Sequence, residues 1–268
     1  MVMTWQENED NCVNFLNDYY GDYFKLNGGC DSTSSDIYYS KDGVNFWIEC
    51  KSTDSQAGQF VLFPNEECKY FEFSDSNKTK ATMPSVKEII DFMNVNFDQF
   101  KNPGRGGRVI NLDQKLFANW IVAMYKNKGV KFVIVYEEFS KEYIIFPVER
   151  FSEYFNIECK YRIKRSGSRP FLPSHRNDFM QAIQKLGIEG ELIAKDVFQS
   201  VFNLDRKRIN GEFNTFFLKM VNDNLYKVRV LSKTMNSNVI FQIHLKCGQR
   251  EEDLLEFKRY INLSLIHI

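Results

Sequence analysis

The chain has 268 residues, and its 35 lysines and arginines match its 35 aspartates and glutamates, so the formal charge is zero. That length buries a full core in one large domain or two small ones, and an aromatic share of 15% argues against disorder. Any nucleic-acid binding must therefore rest on local segregation of charge, and no apolar run approaches the length of a membrane span.

In chain order, Thr4-Trp5-Gln6-Glu7 fits a capping box that opens a helix with Trp5, Cys12, Leu16 and Tyr19 along one stripe. Glu9 falls on the same stripe, and a carboxylate that faces inward needs a partner; a solvated helix edge is the competing reading. Strands are expected over about 35–40, 44–51 and 59–63, the first two joined by the turn Ser40-Lys41-Asp42-Gly43. Residues 64–83 read as an irregular insertion. Residues 86–100 have helical period, with Val86, Ile89, Ile90, Met93 and Phe97 on one face. A glycine-rich basic loop spans 102–109 and a second helix 112–126. Residues 131–137 form a continuous apolar strand of the kind buried in parallel sheets, followed by a strand at 143–148 and a short helix at 150–155. Beyond Pro173, a helix is expected over 176–186 and strands over 225–232 and 239–246, around the turn Met235-Asn236-Ser237-Asn238. Helices alternating with buried strands indicate an α/β fold with a mixed central sheet flanked by helices. A boundary near Gly187–Gly190 would separate a core of residues 1–186 from a small recognition or dimerisation subdomain, 187–268.

The six cysteines, Cys12, Cys30, Cys50, Cys68, Cys159 and Cys247, are scattered without Cys-x-x-Cys pairs, so neither a zinc site nor a disulfide scaffold is indicated. A reduced cytoplasm is the expected location. Gly104, Gly106 and Gly107 precede no Gly-Lys-Ser/Thr, and no Gly-x-Ser-x-Gly is present. His175, His244 and His267 are too dispersed for a metal cluster.

The chemistry concentrates in Gly28-Gly29-Cys30-Asp31-Ser32-Thr33-Ser34-Ser35-Asp36-Ile37 and Phe46-Trp47-Ile48-Glu49-Cys50-Lys51. Residues two apart on a strand share a face, so Glu49 and Lys51 project together while Ile48 and Cys50 point away. Closing the hairpin brings Asp36 beside them. Two converging carboxylates repel unless a cation lies between them, and hard oxygen ligands suit Mg²⁺. A lysine alongside orients or deprotonates a water, or stabilises charge building on a phosphate.

This arrangement resembles the Asp…Glu-x-Lys signature of the PD-(D/E)XK nucleases, and within them the type II restriction endonucleases. Ser35-Asp36 stands where Pro-Asp is usual, and Gln56-Ala57-Gly58-Gln59-Phe60-Val61-Leu62 adds to the likeness. The resemblance implies Mg²⁺-dependent hydrolysis of double-stranded DNA at a short sequence, leaving a 5′-phosphate and a 3′-hydroxyl. It implies Asp36, Glu49 and the carbonyl of Cys50 as metal ligands, Lys51 as the residue that positions the water, and Glu9 as a further carboxylate of the site. Gln59, just beyond, is a candidate to hydrogen-bond near the scissile phosphate. A palindromic target would call for a two-fold homodimer, although some members of the family it resembles act as monomers. A repair or junction-resolving nuclease of the same fold, and a non-catalytic DNA-binding module, stay open as alternatives.

Candidate DNA contacts lie in a segment free of acids between Cys159 and Asp178: Lys160, Arg162, Lys164, Arg165, Ser166, Ser168, Arg169, His175 and Arg176. Lys160, Arg162 and Lys164 alternate along one strand face, and Ser166-Gly167-Ser168 turns the chain with exposed backbone donors. A solvated edge strand is the bland reading. Arg105 and Arg108, with Lys101, form a second candidate, and Arg206-Lys207-Arg208 a third.

Overall fold

The computed structural model describes residues 5–27, 35–73, 84–104, 106–164, 168–205, 207–231 and 236–262. The chain divides into two units, one of Met1–Ile163 with Ser237–Ile268 and the other of Lys164–Asn236. The expected division at 187–190 is therefore corrected. Gly187 and Gly190 lie inside the second unit, where a Cβ on Gly190 would stand 2.3 Å from the Gln199 carbonyl oxygen.

The first unit begins with α1 (Trp5–Tyr20), β1 (Phe24–Leu26), β2 (Ile37–Lys41), β3 (Val44–Ser52), β4 (Asp54–Asn65) and β5 (Tyr70–Phe73). It continues through α2 (Pro84–Val95), α3 (Phe97–Phe100), β6 (Arg108–Val109), α4 (Gln114–Asn127), β7 (Val130–Glu137), β8 (Glu142–Pro147), α5 (Phe151–Tyr154) and β9 (Phe155–Lys164). The second unit holds β10 (Ser168–Pro170), α6 (Arg176–Lys185), β11 (Glu191–Ala194), β12 (Val197–Gln199), β13 (Arg208–Asn210), β14 (Thr215–Asn222) and β15 (Leu225–Leu231). Last come β16 (Asn236–Leu245) and α7 (Glu251–Asn262), which return to the first unit.

The first unit carries the expected α/β architecture. Its mixed sheet has the order β1-β2-β3-β7-β8, with β3 parallel to β7 and the other neighbours antiparallel. Ile48, Cys50, Phe132 and Ile134 on one face pack with Cys12, Val13 and Leu16 of α1 and Phe257 and Ile261 of α7. Val133 and Val135 on the other face join a larger core with Trp120 and Ile121 of α4. A second sheet, β5-β4-β16-β9-β6, closes that core from beyond: Phe60 and Phe241 both pack on the Trp120 ring.

Several expectations change. The buried stripe of α1 is Asn8, Cys12, Val13 and Leu16, whereas Trp5 and Tyr19 are exposed, because only the narrower face meets the sheet. Residues 70–73, read as irregular, pair antiparallel with β4 and bury Phe71. The strands β15 and β16 form no hairpin; β15 pairs with β14 and β12, β16 with β4. In the second unit, α6 covers one face of an antiparallel sheet through Phe179, Ala182 and Ile183. The five described cysteines are free thiols, and no described helix is long and apolar enough to cross a membrane.

Candidate active site

The hairpin of β2 and β3 builds the site. Asp42 and Gly43 turn it with φ of 49° and 81°, the left-handed pair that a two-residue hairpin requires. Ile37 pairs with Ile48, so Asp36 leaves β2 level with Glu49. The backbone N–H of Cys50 donates to Asp36 Oδ2 at 2.8 Å, which fixes the carboxylate against the neighbouring strand. Lys51 Nζ donates to Glu49 Oε1 at 2.6 Å and to the Cys50 carbonyl at 3.1 Å. The Ser35 hydroxyl donates to Glu49 Oε2, so both oxygens of that buried carboxylate are held.

The electrostatics follow from burial and crowding. Burial works against the Glu49 carboxylate, yet the Lys51 ammonium and the hydrogen bonds from Lys51 and Ser35 outweigh it and hold its pKa below the usual range. Lys51 titrates well above an ordinary lysine: burial opposes its charge, but Glu49, Tyr125 and Asp36 favour it more. Asp36 receives less support. Burial first, then repulsion from Glu49, pushes its pKa up to about 6. Glu9, half-buried on α1, is raised to about 7 by burial and by the Asp36 charge, with Glu49 adding to it. Asp36, Glu49, Lys51 and Glu9 thus share one electrostatic neighbourhood whose resident cations do not balance its carboxylates.

Among the described residues no three His, Cys, Asp or Glu side chains converge at metal-ligating distance. The candidate ligand set is two carboxylates, Asp36 and Glu49, and the Cys50 carbonyl. Such a hard, sparse oxygen set fits Mg²⁺, which retains several waters and takes one or two carboxylates from a protein. Gln59 is engaged elsewhere: its Oε1 accepts from Asn238 Nδ2 at 3.0 Å across the ladder from β4 to β16. The Cys50 side chain points into the α1 core, as its alternation on β3 requires.

Three participants escaped the sequence reading. Ser35 binds Glu49. Tyr125 places its ring 5.6 Å from Lys51 Nζ and donates its hydroxyl to the Ala57 carbonyl at 2.8 Å. Lys128, just after α4, is a second cation that favours the charged forms of Asp36 and Glu49. No local pattern marks the last two, because α4 is distant in sequence and only packing brings its end to β3.

The basic candidates disperse. Lys160 pairs with Glu158 at 2.6 Å, and Arg162 follows on the same strand face. Arg108 lies opposite Tyr161 in the β6–β9 ladder, so the loop around it and the strand at 160–162 are neighbours. Arg105, Arg165, Ser166 and Arg206 lie outside the described residues, as do residues 28–34, and of Lys164 only the backbone is described. Ser168 is occupied by Arg229, which donates from Nε to its hydroxyl at 2.7 Å, and Arg169 donates to Asn214 Oδ1 at 3.0 Å. His175 is corrected from a candidate base contact to a structural residue. It is buried, with Nδ1 accepting the Leu172 N–H at 2.9 Å ahead of α6, and burial lowers its pKa. Arg176 stays exposed at the start of α6.

No family model and no curated protein sequence matches the chain. Among solved structures it is similar to HhaI endonuclease in complex with DNA, with a TM-score of 0.87 and 40% identity over 97% of this chain and 100% of that one. Identity at that level over nearly all of this chain and the whole of that one, on a fold that brings Asp36, Glu49 and Lys51 together, shows the family: the chain belongs to the type II restriction endonucleases, the family of HhaI endonuclease.

Proposed function

We propose that the protein hydrolyses phosphodiester bonds of double-stranded DNA at a specific short sequence in a Mg²⁺-dependent reaction, using an Asp…Glu-x-Lys centre of the PD-(D/E)XK kind. The observation that carries this reading is the convergence of Asp36, Glu49 and Lys51, held by the 2.8 Å bond from Cys50 and the 2.6 Å bond within Glu49-Cys50-Lys51. A DNA complex of the similar endonuclease supports DNA as the substrate.

Asp36, Glu49 and the Cys50 carbonyl would hold the ion, which when bound supplies positive charge against the phosphate and lowers the pKa of water. Lys51, kept cationic by Glu49, orients the attacking water and stabilises charge on the phosphate as the bond breaks. Tyr125 and the strand ladder restrict the Lys51 ammonium to that position. Glu9 serves as an outer carboxylate that holds a water at the edge of the site.

Digestion of DNA of known sequence with Mg²⁺, followed by mapping of the fragment ends, tests this. Discrete ends at one short sequence, with 5′-phosphates and no cutting in EDTA, are expected. Random fragmentation, or equal cutting in EDTA, would remove the reading.

A further inference from the structure

The candidate active site lies on one face of the β2–β3 hairpin, and the end of α4 stands over that face. Trp47, Glu49 and Lys51 share it by alternation along β3. Tyr38 of β2 lies opposite Trp47, with ring centroids 4.7 Å apart, and so belongs to the same face. From the last turn of α4, Tyr125 places its ring 5.6 Å from the Lys51 ammonium. Lys128 follows three residues later and therefore leaves the same side of the helix.

Backbone contacts fix the chain at this point. The Lys128 N–H donates to the Tyr125 carbonyl at 3.0 Å and closes the helix. Gly129 comes next with a φ of 78°, and its carbonyl accepts the Trp47 N–H at 3.1 Å. A Cβ on Gly129 would stand 3.2 Å from Trp47 Cδ1, so the chain passes tightly against β3. Lys128 is thereby held beside Trp47, the residue two before Glu49. It is half-buried, and its charge favours the ionised forms of both Asp36 and Glu49. Lys126, at the same helix end, is engaged instead by Glu149 Oε1 at 2.7 Å. Glu9, Asp36 and Glu49 share the neighbourhood with Lys51. A divalent cation held there and Lys51 together match those carboxylates and leave no surplus for DNA. Lys128 supplies the positive charge that an incoming phosphate needs.

We propose that Lys128 binds the DNA backbone at the phosphate next to the scissile one, on the Trp47 side of the centre, resting on the DNA-cleaving reading above. Lys51 stands at one end of the row Trp47, Glu49, Lys51 and Lys128 at the other, with the carboxylates between them. The two lysines therefore serve successive phosphates rather than one. A lysine is a point charge without a fixed fork, so Lys128 contributes affinity and position rather than base reading.

The test compares Lys128→Gln and Lys128→Arg with Lys126→Gln, which removes an exposed lysine from the same helix end. Binding to a duplex bearing the mapped cleavage site is measured in EDTA at several salt concentrations. Single-turnover cleavage at saturating enzyme in Mg²⁺ and thermal unfolding are measured alongside. Lys128→Gln should weaken binding roughly tenfold, the worth of one charge-assisted hydrogen bond, and flatten the slope of log K against log salt by about one unit. Its saturated cleavage rate should stay within about threefold of wild type, because a flanking contact is made equally in the ground and transition states. Lys128→Arg should keep the wild-type slope, and Lys126→Gln should leave it unchanged. Lys128→Met, which keeps the stem and drops the charge, gives the same readout if Lys128→Gln fails to fold. A wild-type slope in the folded neutral variant, or an equal change in Lys126→Gln, would overturn the assignment while leaving the nuclease reading intact. So would a rate loss at saturation larger than the loss of affinity, which would put Lys128 at the scissile phosphate itself. A wild-type protein that neither cuts DNA nor binds it would overturn both.

Discussion

Lys51 and Lys41 separate position from mere charge. Lys51 is half-buried against Glu49, whereas Lys41, at the end of β2 beside the turn of the same hairpin, stands over the Tyr23 ring at 4.3 Å. Lys51→Ala should reduce cleavage by about 10²–10³-fold, the range seen when one preorganised donor is removed from a developing charge. Lys41→Ala should lose only a surface cation–π contact, roughly 0.5–1 kcal/mol of stability, with cleavage unchanged. Initial rates in Mg²⁺, with unfolding curves for both variants, decide this. Equal rate losses would mean that Lys51 acts through stability alone. Asp36 offers a second test at this scale, through pH. Its unfolded pKa lies near 3.9 and its folded value at about 6. A carboxyl raised on folding costs nothing below the unfolded value, destabilises progressively between the two, and exerts its full penalty above the folded one. Without metal, Asp36→Asn should therefore melt higher than wild type at pH 8, by roughly 2–4 °C for each kcal/mol relieved, and the gap should close near pH 4. Adding Mg²⁺ at pH 8 should raise the melting temperature of the wild type and not that of the variant. A variant less stable than wild type at pH 8 in EDTA would show that the hydrogen bond from Cys50 outweighs burial and repulsion at Asp36.

At the scale of elements, α4 packs on the face of the β3–β7 pair to which Glu49 and Lys51 belong. That helix approaches β4 at Gly58, where an added Cβ would lie 2.6 Å from the fully buried Trp120 ring. The ring is stacked on Phe241 at 4.5 Å and cannot retreat without disturbing β16. Gly58→Ala should accordingly destabilise the protein by about 1–3 kcal/mol, the usual range for overpacking, although alanine is otherwise better suited than glycine to a strand. Denaturant unfolding would measure it, and a neutral or stabilising result would mean that α4 has room to move. Because α4 also carries Tyr125 and leads into Lys128, any shift of this helix should be felt at Lys51.

For the whole molecule, the chain's last segment is a structural closure. β16 pairs with β4 along seven registered positions, and α7 packs Phe257 against Phe24 and Phe132, with ring centroids 6.4 and 5.1 Å apart. Phe257→Ala should cost roughly 3–5 kcal/mol, the range for a large aromatic removed from a core. Loss of residues 237–268 should leave β4 with an unpaired edge and abolish the soluble folded enzyme. Equilibrium unfolding of the point variant and the solubility of the truncated chain check both statements. A truncated protein that still cleaves DNA would contradict the division of the chain into its two units.

The local chemistry was legible in the order of the amino acids. The two-residue period of β3 put Glu49 and Lys51 on one face and Cys50 on the other, and Asp42-Gly43 dictated the hairpin that returns Asp36 to them, because both follow from covalent geometry over a few residues. Glu9 was legible as a carboxylate on an apolar stripe, although the stripe itself ran through Asn8 and Val13 rather than Trp5 and Tyr19. It took the packed fold to establish that β16 leaves β15 to pair with β4, that Lys128 joins the electrostatic neighbourhood of Asp36 and Glu49, and that His175 is a buried acceptor. Such outcomes depend on which apolar faces bury one another across tens to hundreds of residues, and register between distant strands leaves no periodic trace in either strand alone.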